Sequence, residues 1–284
     1  MELAIPSGIV LESLLRQWLL EDIGRGDITT QGLLLKNSPG RAEWVIKEDG
    51  IVAGLTIAAR VFEILDRAIV FTPLIAEGQF CSSGTRIAEI EGKLEALLEG
   101  ERTALNLAMR LSGIATATRK YVEKIEDLPT KLVDTRKTTP GLRILEKYAT
   151  RVGGAINHRL GLDDAVMIKD NHIQAAGGIG KAIALIRKNM PYPLTIEVET
   201  SNEEQVQEAI EHGADIIMLD NMSLETMTQA VQLIRTMDGK IIIEASGNIT
   251  LESIAAVAQT GVDYISSSAP ITRSHWLDLS MRFI

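Results

Sequence analysis

The segment LTIEVETSNEEQVQEAIEHGADIIMLD, residues 194–220, decides the fold. Two apolar, β-branched runs flank a polar stretch with helical periodicity, as expected for a strand, a helix and a second strand. Runs that are apolar throughout indicate strands buried on both faces, and an intervening helix indicates a right-handed parallel crossover. Four more such runs occur in the second half of the chain: KLVDT (131–135), DAVMIKD (164–170), KIIIEAS (240–246) and VDYISSS (262–268). The six runs predict an α/β fold with an incomplete parallel barrel, because a complete barrel has about eight strands.

The first part of the chain has a different pattern. Apolar residues at helical spacing predict a helix over 7–22, and a second helix-like stretch covers 55–66. Nearly everything in 93–124 has helical character, and we expect Gly100 and Gly113 to break it. Short extended runs are found at 41–47, 50–54, 68–74 and 85–92. Together these elements predict a small α+β domain ahead of the barrel.

Composition narrows the classes of protein that the chain can represent. Its 29 Lys and Arg against 38 Asp and Glu give a net charge of −9, which argues against binding to nucleic acid or acidic membranes and makes any anion site local. A hydrophobic fraction of 45% is typical of a globular protein. Cys81 is the single cysteine, so an intrachain disulfide and a Cys-based zinc cluster are excluded. The opening residues MELAIPSGIV lack the basic start of a signal peptide, and we expect a cytoplasmic protein.

Each barrel run ends on polar or ionisable side chains. The C-terminal ends of parallel barrel strands meet at one mouth, where active sites lie, so these side chains are expected to converge. The residues concerned are Asp134, Arg136, Lys137, Lys169, Asp170, Glu197, Glu199, Asp220, Asn221, Glu244, Ser246 and Ser266 to Ser268.

A cationic group is expected at three adjacent strand or loop ends. It consists of TRKTTPG (135–141), NHR (157–159) and KDNH (169–172). Arginine forks bind carboxylates in a bidentate manner and lysine adds point charge. The group therefore predicts a site for a small, multiply charged anion, either a dicarboxylate or a phosphate.

An acidic group follows on the next two strands. Glu197, Glu199 and Asp220, with no cysteine or histidine pair beside them, favour a hard cation such as Mg²⁺ that arrives with a substrate diphosphate. The alternative is that Glu197 or Glu199 is a buried partner of Lys169 or Arg136.

Small residues near two later helices indicate phosphate binding. EASGNIT (244–250) and SSSAPIT (266–272) can expose backbone N–H groups at the last two strands, a common phosphate site in barrels. GGIGK (177–181) lacks the full P-loop pattern and is interpreted as the start of a helix.

Several of these motifs occur together in one known family. In order they are EDIGRGDITT (21–30), ERTALNLAMRLSGIAT (101–116), DTRKTTPGLRILEKYA (134–149), RVGGAINHRLGLDDAVMIKDNHI (151–173), ADIIMLDNM (214–222) and EASGNI (244–249). The chain resembles the quinolinate phosphoribosyltransferases, also called carboxylating nicotinate-nucleotide pyrophosphorylases. The resemblance implies condensation of quinolinate with phosphoribosyl pyrophosphate to nicotinate mononucleotide, pyrophosphate and CO₂. It also implies an N-terminal α/β sandwich at 1–110 joined by 274–284, a barrel at 111–273, and homodimers with shared sites.

The resemblance also implies roles for individual residues. Catalysis would depend on Lys137, Lys169, Glu199 and Asp220, and the last two would also bind the ribose hydroxyls and Mg²⁺. Ser246, Gly247 and Asn248 would receive the 5′-phosphate with the help of Ser268. The quinolinate carboxylates would be held by Arg136, Lys137, His158, Arg159 and Lys169, together with Arg102 from a second subunit. The chain departs from the family in SSSAPITR (266–273), where Ser268 replaces a glycine and Arg273 stands near the usual histidine.

Two other functions are compatible with the residues. A Schiff-base aldolase acting on phosphosugars would use Lys169 or Lys137 as the nucleophile. A non-catalytic relative linked to molybdate transport would bind an oxyanion at the cationic mouth. Such a binder has no use for Glu199 and Asp220, so their presence argues against it.

Overall fold

The computed structural model describes residues 5–33 and 38–284. The chain divides into two compact units. The first contains the described residues up to Arg119, together with Ile144–Gly154 and Arg273–Ile284. The second contains Lys120–Arg143 and Ala155–Thr272.

The first unit is built on a four-stranded antiparallel sheet of order β12-β1-β5-β3. A two-stranded sheet, β2 with β4, accompanies it. Trp44 and Phe62 are fully buried and their rings meet edge to face at 6.4 Å, which gives the unit an aromatic core. Its elements are α1 (Gly8–Ile23), α2 (Ile28–Gly32), β1 (Pro39–Ile46), β2 (Gly50–Ile51), α3 (Leu55–Leu65), β3 (Val70–Pro73), β4 (Phe80–Cys81), β5 (Arg86–Lys93), most of α4 (Leu94–Glu123), α5 (Arg143–Val152) and β12 (Leu279–Phe283).

Helix α4 continues through both glycines that were expected to break it. A Cβ atom at Gly113 would lie 1.9 Å from the carbonyl oxygen of His275, and one at Gly100 would lie 2.7 Å from the ring of Phe62. The glycines therefore permit close packing against the helix, and the prediction of breaks is wrong. Glycine weakens a helix by only about 1 kcal/mol, which close packing can offset.

The second unit carries a six-stranded parallel sheet. Its strands are β6 (Lys131–Val133), β7 (Val166–Ile168), β8 (Ile196–Thr200), β9 (Ile216–Asp220), β10 (Ile242–Ser246) and β11 (Tyr264–Ser266). Its helices are α6 (Asp170–Ala176), α7 (Ile179–Asn189), α8 (Glu203–Glu211), α9 (Leu224–Met237), α10 (Ile254–Gln259) and α11 (Ala269–Thr272). Among the helices of residues 5–33 and 38–284, none is long and apolar enough to cross a membrane.

The order of the strands makes this sheet an incomplete barrel. The order is β6-β11-β10-β9-β8-β7, so the first strand pairs with the last and the sheet curves round on itself. The seam lies between β6 and β7, where Ile156 makes a single parallel bridge to Val133. The predicted α/β class with an incomplete parallel barrel is confirmed.

The centres of the strands carry apolar residues that belong to one core with the helices. Ile168, Val198, Ile217, Ile243 and Ile265 are each 0% exposed in one continuous core. Burying a side chain of this size contributes about 1.5–3 kcal/mol, so the central residues of the strands fix the barrel.

A repeated acidic brace ties helices to strands at the N-terminal end of the sheet. Asp215 accepts the N–H of the first residue of β8 at 2.7 Å and forms a 3.0 Å salt bridge with Arg187. Asp263 accepts the N–H of the second residue of β10 at 2.7 Å and forms a 2.7 Å salt bridge with Arg235. Both aspartates come two residues after a glycine, in GAD and GVD. The braces lie at the N-terminal end of the barrel strands, away from the mouth. In barrels of this kind, residues at that end contribute to stability.

Candidate active site

A cavity of about 530 Å³ opens at the C-terminal ends of the barrel strands, wholly within the second unit. All six strands, or the segments that follow them, contribute to its lining. Met167 and Met218 supply apolar surface, and most other lining residues are polar or ionisable. Ten of the twelve residues predicted from the sequence line it: Arg136, Lys137, His158, Arg159, Lys169, Glu199, Asp220, Ser246, Gly247 and Asn248.

Arg102 and Ser268 are the two predicted residues that do not line the cavity. Arg102 is exposed on α4, in the first unit, and forms no salt bridge with the described residues. The carbonyl of Ser268 accepts the N–H groups of Ile271 and Thr272 at 3.0 and 2.9 Å, at the start of α11. Ser266, at the end of β11, lines the cavity instead.

Two arginines give the cavity unbalanced positive charge. Nη1 of Arg159 donates to the carbonyl of Ala165 at 2.9 Å, which leaves its other nitrogens for a ligand. Nε of Arg136 is buried without a hydrogen-bond partner. Burial and the charge of Arg136 lower the pKa of Arg159. Two neighbouring half-buried guanidinium groups, one with a buried donor that lacks an acceptor, are the arrangement expected of an anion site.

Asp134 fixes the segment that carries His158 and Arg159. Its Oδ1 accepts the backbone N–H of His158 at 2.9 Å and its Oδ2 accepts Nδ2 of Asn157 at 2.6 Å. The N–H of Ile156 donates to the carbonyl of Leu132 at 2.9 Å, so the segment begins alongside β6. Asp134 is 2% exposed, and a buried carboxylate that accepts two hydrogen bonds holds its partners firmly.

His158 faces two buried carboxylates. Its Nε2 lies 3.3 Å from Oε2 of Glu197 and 3.4 Å from Oε2 of Glu244. The backbone N–H of Arg159 lies 2.8 Å from Nδ1, so Nε2 is the ring nitrogen that faces both carboxylates. The facing atoms of the trio all lie within 4.8 Å of one another.

Two members of the trio, His158 and Glu197, hold their protons more tightly than isolated groups would. Burial by itself lowers the pKa of His158, but the hydrogen bonds and charges of Glu197 and Glu244 outweigh it and raise the pKa to about 10. Burial and the charge of Glu244 raise the pKa of Glu197, although His158 opposes this. The protons belong to the group as a whole, because its members are coupled.

Glu199 and Asp220 lie on the neighbouring strands β8 and β9, and both line the cavity. Glu199 accepts a hydrogen bond from Nζ of Lys169 at 2.6 Å. Of the two glutamates that the sequence offered as partners of Lys169, Glu199 is therefore the one that pairs with it, whereas Glu197 contacts His158. Nζ of Lys169 is engaged in this ion pair, which disfavours it as a Schiff-base nucleophile.

The donor chemistry of Glu199 and Asp220 fits Mg²⁺. They offer two carboxylates from neighbouring strands into a cavity that has room for more oxygen ligands. Mg²⁺ is commonly held by one or two carboxylates plus substrate phosphates and water.

The turn after β10 contains unusual backbone. Gly247 has φ 105° and Asn248 φ 50°, and Asn221 beside them has φ 53°. Helix α10 begins only at Ile254, so the turn does not sit at a helix N-terminus as the sequence suggested. Asn221 and Asn248 are the two non-glycine residues with positive φ in 5–33 and 38–284. Such conformations cluster at ligand sites.

The sequence named Asp134, Asn221 and Glu244 at strand ends without giving them roles. Asp134 and Glu244 are each at most 4% exposed and act on His158 through its main chain and its ring. The signal that could have found them is an acidic residue inside an otherwise apolar strand run, since an unpaired buried charge is costly.

The fold and the cavity together define a parallel α/β-barrel protein with a cavity at its mouth whose charged lining is suited to anions. Family models for quinolinate phosphoribosyl transferase match the chain in two parts, the N-terminal domain at residues 27–112 and the C-terminal domain at 114–282. The chain belongs to the quinolinate phosphoribosyl transferase family.

Relatives of known sequence and structure agree. The chain is 62% identical over 280 residues to a probable nicotinate-nucleotide pyrophosphorylase (carboxylating) of Synechocystis sp., covering 99% of this chain and 95% of the relative. It is 47% identical to the corresponding protein of Bacillus subtilis, covering 95% of this chain and 92% of the relative. The solved nicotinate-nucleotide pyrophosphorylase of Francisella tularensis matches with a TM-score of 0.92 at 42% identity, covering 99% of this chain and 98% of that one.

Proposed function

We propose that the chain transfers the phosphoribosyl group of phosphoribosyl pyrophosphate to quinolinate and decarboxylates the adduct to nicotinate mononucleotide. The observation that carries this proposal is the convergence of a cationic cluster, a carboxylate pair and a strained small-residue turn on one cavity. These features suit, respectively, a dicarboxylate, a metal-bound diphosphate and a phosphate.

The chemistry requires positioning more than a nucleophile. The pyridine nitrogen forms a bond to the anomeric carbon as the bond to pyrophosphate breaks. The bond from C2 to its carboxylate then breaks, the electron pair stays on C2 beside the cationic nitrogen, and a proton from solvent replaces CO₂. Holding the two reactants in line supplies much of the rate, because it makes the reaction effectively unimolecular.

The cationic side chains orient the acceptor in this scheme. Arg136, Lys137 and Arg159 bind the two carboxylates, with His158 and Lys169 beside them. Charges that are already positioned around the acceptor stabilise it without the reorganisation that solvent would need. Ser246, Gly247 and Asn248 receive the 5′-phosphate, and Ser266 is available next to them.

Glu199 and Asp220 hold Mg²⁺ and the ribose hydroxyls in the proposal. When bound, the ion offsets the charge of the departing diphosphate. Lys169 orients Glu199 through their 2.6 Å ion pair. The prediction of Mg²⁺ rests on this donor set and on the acidic diphosphate it would accompany.

The proposal includes a homodimer in which Arg102 enters the cavity of a second copy. Arg102 is exposed and without a salt bridge among the described residues, and the cavity lining of its own barrel does not include it. Mixing inactive Arg102→Ala and Arg136→Ala subunits should restore about a quarter of the wild-type sites, because each mixed dimer then has one intact site. Subunit exchange seen by native mass spectrometry without recovered activity would contradict shared sites. A cytoplasmic location goes with the proposal.

The direct test mixes the protein with quinolinate, phosphoribosyl pyrophosphate and Mg²⁺. We expect an absorbance change, nicotinate mononucleotide as product, and one CO₂ for each nucleotide. Omission of quinolinate or Mg²⁺ is the control. Absence of product, or a borohydride-trapped lysine adduct with a keto-sugar, would overturn the proposal.

A further inference from the structure

Asn221 lines the cavity directly after Asp220 at the end of β9. We propose that Asn221 is a positioning residue whose amide fixes the Asp220 carboxylate and the Gly247–Asn248 turn in a single arrangement. This inference rests on the proposed function, in which Asp220 binds Mg²⁺ and ribose and the turn binds the 5′-phosphate.

The backbone of Asn221 extends the pairing of β9 with β10. Its N–H donates to the carbonyl of Ser246 at 2.9 Å, one residue beyond the last paired position, Asp220 opposite Ser246. Its φ of 53° then turns the chain out of the sheet. Residues with a Cβ atom adopt this region rarely, although asparagine tolerates it better than most. Glycine would suit this position best if the turn had only a structural role. The presence of asparagine therefore indicates a role for its side chain.

The amide of Asn221 bridges two functional elements. Its Nδ2 donates to Oδ2 of Asp220 at 2.7 Å, and its Oδ1 accepts Nδ2 of Asn248 at 3.2 Å. The orientation of the amide is unambiguous, because a carboxylate can only accept and Nδ2 must face it. Exchanging the amide for a shorter or apolar group breaks both contacts at once.

The turn is also packed directly on this amide. A Cβ atom at Gly247 would lie 2.2 Å from Oδ1 of Asn221 and 2.9 Å from its backbone nitrogen. The backbone of Gly247, which has a φ of 105°, therefore lies directly against Asn221. The side chain thus sets the distance between the carboxylate and the phosphate turn.

Both elements contact the same substrate in the proposed function. The ribose with its diphosphate and the 5′-phosphate are parts of phosphoribosyl pyrophosphate, whereas the dicarboxylate meets Arg136 and Arg159. Arg159 has its own support, since it is held by Ala165 and its main chain follows His158, which Asp134 anchors. Loss of the Asn221 amide should therefore weaken binding of one substrate and spare the other.

The experiment compares Asn221→Ala and Asn221→Gly with the wild type. Glycine keeps the positive φ without strain, so the Gly variant removes the amide alone. Asn202→Ala is the matched control, because Asn202 follows the neighbouring strand β8 and caps α8 outside the cavity lining. Each protein is characterised by kcat, by KM for both substrates, by Tm, and by calorimetric titration with phosphoribosyl pyrophosphate and Mg²⁺.

We expect both Asn221 variants to raise KM and Kd for phosphoribosyl pyrophosphate at least 10-fold and to leave KM for quinolinate within 2-fold. The Asn202→Ala control should keep both KM values. Wild-type affinity in Asn221→Gly, or an equal rise of both KM values, would overturn the inference. A wild type that binds phosphoribosyl pyrophosphate without turnover would refute the proposed function alone, and the ratio of Kd values would still decide the role of Asn221. A wild type that does not bind it would overturn both.

Discussion

Replacing Arg159 by glutamine separates ligand binding from stability. The guanidinium of Arg159 lines the cavity and donates one hydrogen bond, from Nη1 to the carbonyl of Ala165. Glutamine is shorter, keeps a polar N–H group and removes the charge. Burial and the charge of Arg136 lower the pKa of Arg159, which means that the folded protein without ligand disfavours this cation.

Arg159→Gln should therefore affect thermal stability and quinolinate affinity differently. The variant should melt at the wild-type temperature or above it, because a disfavoured charge has been removed. Quinolinate binding loses the bonds of the remaining nitrogens to a carboxylate, each worth about 1.5–3 kcal/mol. Two such bonds, partly replaced by water, amount to about 3 kcal/mol, or about 150-fold in Kd.

Calorimetric titration with quinolinate and thermal melting measure the two quantities on the same samples. Arg143→Gln is the matched control: Arg143 donates to the carbonyl of Leu160 in the same segment at 3.2 Å and does not line the cavity. Quinolinate affinity within 3-fold of the wild type would refute the assignment of Arg159. A fall in Tm of several degrees, absent from the control, would show that the charge serves the fold.

Three further predictions concern other parts of the site and the barrel. Glu244→Gln should lower the pKa of His158 from about 10, as measured by NMR titration. The folded wild type holds the His158 proton more tightly than the unfolded chain does, so protonation of His158 contributes to the free energy of unfolding. This contribution is complete below pH 6.5 and is lost as pH rises through about 10. In the variant, the free energy of unfolding should therefore fall less steeply between these two pH values. Nicotinic acid, which lacks the 2-carboxylate, should be turned over at least 100-fold more slowly than quinolinate, because it leaves buried cationic charge unpaired. Asp263→Asn should lower the free energy of unfolding by about 1–2 kcal/mol in urea titration with both KM values unchanged, because its brace lies at the other end of the barrel.

The sequence predicts the barrel well because each strand is buried on both faces. A run such as IIMLD (216–220) has no polar position before its last residue, and the structure places a strand over those same five residues. The role of the two glycines in α4 could not be predicted from the local sequence pattern. The close approach of His275 to Gly113 joins residues far apart in the chain, and local propensity contains no information about such contacts.

The site was predictable in its residue types and not in its pairings. Glu197 and Glu199 share a face of β8 because they are two residues apart. They nevertheless lie at different depths: Glu197 is 3% exposed and contacts His158, whereas Glu199, closer to the strand end, lines the cavity and pairs with Lys169. Which cation meets which carboxylate depends on the register of neighbouring strands, and single residues in a sequence do not reveal it.

Some cationic side chains at the cavity mouth pair with carboxylates of the protein and others do not, and this difference indicates a ligand with two negative charges. Lys169 and His158 each have carboxylates of the protein within 3.4 Å. Arg136, Lys137 and Arg159 form no salt bridge with the residues that the structure describes, although the chain as a whole carries a net charge of −9. Three cations that lack a carboxylate partner and line one cavity are the arrangement that electrostatic complementarity to an anionic ligand requires. A monoanion would leave two of these charges uncompensated and a dianion one, so we expect the second carboxylate of quinolinate to contribute to selection by this cavity.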